Sequence, residues 1–113
     1  MGKSYREQIV LPAPARAVAQ RAEQVLTDAP RVYWVEVQPH ESHPDFVQAW
    51  VDVSMRSWGE MIMVYLSEVS GETVAEIESR CKFPWQVIDW GKNKSNVLHI
   101  IKELRTWPLP QAS

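Results

Sequence analysis

The sequence predicts an α+β domain of two layers, a curved antiparallel sheet with helices packed on one face, in the order β-α-β-β-β-β-α. Three observations lead there. Alternating apolar and polar residues recur from position 31 to 83, broken only by short turn-like stretches. Two segments of helical periodicity flank that region. Short connections between successive strands favour an antiparallel meander, and each helical stripe needs a sheet face to cover it.

The elements follow in order. Residues 4–11, SYREQIVL, alternate as a short strand that Pro12 and Pro14 stop. Residues 15–27 are alanine-rich, with Val18, Ala22, Val25 and Leu26 on one helical face; Asp28-Ala29-Pro30 ends the helix. RVYWVEVQ at 31–38 is β-branched and aromatic, hence a strand, and PHESHPD at 39–45 is a turn. FVQAWVDVSM at 46–55 alternates, and RSWG at 56–59 breaks it. EMIMVYLSE at 60–68 and TVAEIESRCKF at 73–83 are strands joined by the VSGE turn. In the second of these, Ala75, Ile77, Ser79, Cys81 and Phe83 are expected inward, and Glu76, Glu78, Arg80 and Lys82 outward. From about Trp90 the helical period returns, with Val97, Leu98, Ile101 and Leu104 as its stripe and Pro108 and Pro110 beyond it.

The 113 residues make a single domain, 1–113, with a core of about 4–107 and a loose tail at 108–113. A hydrophobic content of 45% with 23% charged residues is that of a soluble globular protein. The net charge of −2 and the lack of a basic stripe argue against nucleic-acid binding. The longest apolar run, Met61 to Leu66, is far short of the roughly 20 residues of a membrane span. MGKSYREQIVL has no apolar signal core, and a single cysteine suits a reducing compartment, so a cytoplasmic location is expected.

Chemistry-bearing patterns are sparse, and no catalytic constellation emerges. His40 and His43, near Glu41 and Asp45, could hold a metal but read more simply as a solvated turn. Cys81 reads as a buried core thiol, and Glu60, Glu68, Glu76 and Glu78 as a solvated face. No glycine-rich phosphate loop exists, and no cofactor or metal is implied.

Aromatic density is the unusual feature: Trp34, Trp50, Trp58, Trp85, Trp90 and Trp107 in so short a chain. FPWQVIDWGKN at 83–93 concentrates it. Asp89 is placed to cap the last helix, while Lys92 and Lys94 oppose the helix dipole and, with free N–H groups, could form an anion site. Strand 60–68 is apolar on both parities, which points to a covered or interacting second face.

SWGE at 57–60, followed by FPxQxxDWGKNxxNV at 83–97, resembles a small bacterial family of uncharacterised domains, over roughly residues 57–104. The element order also resembles the TATA-binding-protein-like and Bet v 1-like (START-like, helix-grip) folds. That resemblance implies a curved antiparallel sheet against a long C-terminal helix and, in the Bet v 1 branch, a cavity for a hydrophobic ligand. This chain is shorter than that branch and has one helix, not two, after its first strand. No catalytic residue carries over. The expected function is therefore non-enzymatic binding of a small apolar or amphipathic ligand between sheet and last helix. Trp58, Tyr65, Trp85 and Trp90 would line the site, with Lys92 and Asn93 at its mouth. The alternative is a homodimeric interaction module joined through Trp50, Met61, Met63 and Tyr65.

Overall fold

The computed structural model describes residues 4–29, 32–38, 45–51, 59–81 and 92–106, with backbone alone at Tyr33, Gln38, 45–51 and Lys92. Within them the expected order holds: β1 (Ser4–Leu11), α1 (Ala15–Asp28), β2 (Val32–Gln38), β3 (Asp45–Val51), β4 (Glu60–Val69), β5 (Glu72–Cys81) and α2 (Lys92–Thr106). Residues 52–55 and 82–83, expected to extend two strands, lie outside the described residues, as do Asp89 and the histidines of the 39–44 turn.

All neighbouring strands are antiparallel, in the spatial order β1-β5-β4-β3-β2. The meander from β2 to β5 follows from the short turns. The return of β1 beside β5 does not; it brings residues distant in sequence into register, as in Ile9 opposite Ala75. Both helices lie on one face, α1 against β2 and β3 and α2 against β5 and β1, and they touch each other.

The core is the layer between. Ile9, Leu11, Ile62, Val64, Leu66, Ala75 and Ile77 of the sheet meet Val18, Ala22, Val25, Leu26, Val97, Ile100, Ile101 and Leu104 of the helices. The helical stripe of α2 differs by one residue from its expectation. Leu98 is 42% exposed, and Ile100 takes its place in the core. At 100° per residue, positions 93, 97, 100 and 104 share one face, and 98 lies well round the helix from it.

Local chemistry explains the element ends. Pro14 occupies the N-cap of α1 and offers no side-chain cap. Glu68 of β4 substitutes: its carboxylate accepts a 2.8 Å hydrogen bond from the Ala15 N–H. Thr73 Oγ1 donates to the Ala13 carbonyl at 2.6 Å, fastening the β1–α1 link to β5. Between Val69 and Glu72 the hairpin turns on two residues, Ser70 and Gly71, with φ of 53° and 81°. Two positive φ values suit a type I′ turn, for which Asn-Gly is the favoured pair. Ser70→Asn is accordingly expected to stabilise the protein by roughly 0.5 kcal/mol, read as a higher urea midpoint at unchanged slope.

Two glutamates expected on a solvated face are buried instead. Glu78 does point to the outer side of the sheet, yet it is only 3% exposed. Arg6, its cross-strand partner, and Arg80, on its own strand, pair with the two carboxylate oxygens at 3.3 and 2.9 Å. Met63, opposite it in β4, is itself 5% exposed. Glu60 is the second, with no exposure at all.

Candidate functional site

Glu60 opens β4 and pairs in register with Cys81, which closes β5. Ser79, two residues before Cys81, shares its face of the strand. Above them lies the first turn of α2, which sets Asn93 and Asn96 on one side by their spacing of three. The five polar side chains form a directed chain. Asn96 Nδ2 donates to Glu60 Oε1 and to Ser79 Oγ, both at 3.1 Å. Ser79 Oγ donates to Asn93 Oδ1 at 2.8 Å, and Asn93 Nδ2 donates to Cys81 Sγ at 3.4 Å. Glu60, Ser79 and Asn93 have zero exposure and Cys81 6%.

A buried carboxylate or amide costs about 1–3 kcal/mol wherever its hydrogen bonds are missing. The cluster is therefore a stringent device that holds the start of α2 at one place on the sheet. Among the described residues, Cys81 accepts from an amide, and His99 is exposed elsewhere on α2. Among the described residues, no group of histidine, cysteine and carboxylate side chains is placed to hold a metal.

Among the described residues, the rest of the layer between sheet and α2 is closely packed. Val64, Leu66, Ala75, Ile77, Val97 and Leu104 have zero exposure, so none borders a void large enough for water. A separate open cleft of about 280 Å³ lies between the helices, lined by Arg21, Val25, Asp28, Ala29, His99 and Glu103. In it Arg21 pairs with Glu103 at 3.7 Å.

The structure does not bring all the expected site residues together. Asn93 faces the sheet from the helix side and is sealed by its bonds to Ser79 and Cys81. Tyr65 lies on the opposite face, where its hydroxyl meets Met63 Sδ at 3.5 Å. Burial first, then the nearby Glu78 charge, holds its phenol above the ordinary tyrosine range. Trp58, Trp85 and Trp90 lie outside the described residues, and of Lys92 only the backbone is described, as the first residue of α2. Lys94 has a neighbour in β1: its Nζ sits 6.0 Å from the Tyr5 ring centroid. Trp50 is the backbone register partner of Met61, and Met63 and Tyr65 follow Met61 along β4.

Glu60, Ser79 and Asn96 were not expected in a site. The signal lay in the motifs themselves, because Glu60 ends SWGE and Asn93 and Asn96 form the N-x-x-N of the second motif. The fold closes the two motifs on each other.

No protein-family model matches the sequence, and no curated protein matches it. Solved structures do. A START superfamily protein from Mycobacterium smegmatis superposes with a TM-score of 0.58 at 10% identity, over 93% of this chain and 96% of that one. The fold is START-like. Ara h 8.0201 agrees, with a TM-score of 0.50 at 8% identity, over 91% of this chain and 95% of the other. At such identities the likeness concerns the fold. No helix among the described residues of this START-like domain is long and apolar enough to cross a membrane.

Proposed function

We propose that this START-like domain is a non-enzymatic binding protein that holds one small apolar or amphipathic molecule. Its site is the end of the sheet–α2 layer where β4 begins, β5 ends and α2 begins. The supporting observation is the sealed cluster of Glu60, Ser79, Cys81, Asn93 and Asn96, the one polar group of this size within the described sheet–α2 layer. It clamps the chain close in sequence to three of the six tryptophans: Trp58 is two residues before Glu60, Trp85 four after Cys81, and Trp90 three before Asn93. Apolar walls on a rigid polar frame are the usual form of a small-molecule site. In this reading Trp58, Trp85 and Trp90 supply the walls and Lys92 a cation at the mouth. Asn93 positions them from beneath, and Tyr65, across the sheet, takes no part.

The homodimeric alternative through Trp50, Met61, Met63 and Tyr65 has less support, because Met63 is already buried within one chain. A brominated medium-chain fatty acid tests the binding reading, since bromine quenches tryptophan on contact. Saturable quenching at one molecule per chain is expected, weakened by Trp58→Phe or Trp90→Phe. Quenching that rises linearly without saturation contradicts the proposal.

A further inference from the structure

One edge of the sheet is β2, which pairs with β3 and with no other described strand. Its sequence, VYWVEVQ, holds three valines and two aromatic rings, with no lysine, proline or glycine. Trp34 is 56% exposed and Val37 45%. A row of backbone N–H and C=O groups beside such side chains is a template for another strand, and proteins that must stay apart blunt it with lysine, proline or a bulge. The irregularity in β2 falls at its start, between Val32 and Trp34, and leaves the rest regular. The opposite edge is unlike it. In β1, Arg6 is committed to Glu76 and Glu78, and charged residues interrupt the strand.

We propose that β2 pairs with β2 of a second copy of this chain, antiparallel across a two-fold axis at Val35, so that two sheets join into one. The side chains select that register. An axis at Val35 keeps Trp34–Glu36, beyond the bulge, in regular pairing and sets Trp34 of each copy opposite Glu36 of the other. The indole N–H then meets a carboxylate, as Trp34 Nε1 and Glu36 Oε1 do within one strand at 3.4 Å. An axis at Glu36 would oppose two carboxylates directly, which is unfavourable. An axis at Trp34 would bring the bulge of each copy to the centre of the pairing. The paired strands give a two-fold, self-complementary interface, the commonest way for a chain to associate with itself.

Charge at position 34 tests the register, because Trp34 is exposed and its replacement spares the core. Trp34→Glu places two like-charge pairs across the axis, and Trp34→Lys places two opposite-charge pairs there. In sedimentation velocity over a concentration series, the wild-type protein is expected to dimerise. Trp34→Glu should associate at least about tenfold more weakly than Trp34→Lys. Under mild oxidation Val35→Cys should give a covalent dimer, while the wild type, whose Cys81 is buried, should not. A wild-type protein that stays monomeric overturns the proposal. So does a dimer whose strength is the same for Trp34→Glu and Trp34→Lys, or one that Val35→Cys fails to cross-link.

Discussion

Asn96→Asp is expected to destabilise the protein by roughly 3 kcal/mol at neutral pH, although it changes one amide to a carboxylate of the same shape. Asn96 Nδ2 is the donor to both Glu60 Oε1 and Ser79 Oγ. The substitution removes both bonds and sets two carboxyl groups within hydrogen-bonding distance of each other where Glu60 has zero exposure. Urea unfolding of wild type and variant at neutral pH measures the cost. A variant as stable as wild type at neutral pH would remove the cluster's role as a clamp.

Ile77→Ala is expected to cost about 3–4 kcal/mol, the usual penalty for a cavity in a core that cannot collapse around it. Ile77 has zero exposure and lies in β5, between Glu7 of β1 and Val64 of β4, beneath the helices. The fitting contrast is Leu98→Ala, which truncates a residue of similar size on the face of α2 turned from the core and should cost no more than about 0.5 kcal/mol. Denaturant midpoints at constant slope compare the two directly.

That contrast also marks where the sequence was a good guide. Element order and most boundaries were legible because hydrophobic period and turn residues are local signals. Ser4–Leu11 was read to the residue, and Val18, Ala22, Val25 and Leu26 form the buried stripe of α1 as expected. Leu98 was assigned to the core of α2 because an apolar residue beside Val97 looks like part of a stripe; the angle of approach of the helix, which sequence does not carry, decided for Ile100. The pairing of β1 with β5 was likewise invisible, since no turn links them.

Of the candidate site, the motifs were legible and the partners were not. The alternation that correctly placed Ser79 and Cys81 inward could not say that Asn93 and Asn96 would descend on them. Glu60 and Glu78 were read as solvated because isolated carboxylates usually are. Both are buried and meet particular partners, Asn96 for one and Arg6 with Arg80 for the other. Tyr65 resembles the tryptophans in apolar character and so reads as a lining residue, but its parity in β4 puts it on the other side of the sheet from Asn93.

The most direct test of the binding reading needs no choice of probe. Native mass spectrometry of the protein purified from its own host, without detergent or organic solvent, reports the mass of whatever the folded chain retains. The account predicts a chain, or a dimer of chains, heavier than its bare mass by one small molecule per chain, which organic solvent releases and which extracts as an apolar or amphipathic compound. A single species at the mass of the bare chain, or of its bare dimer, would contradict it.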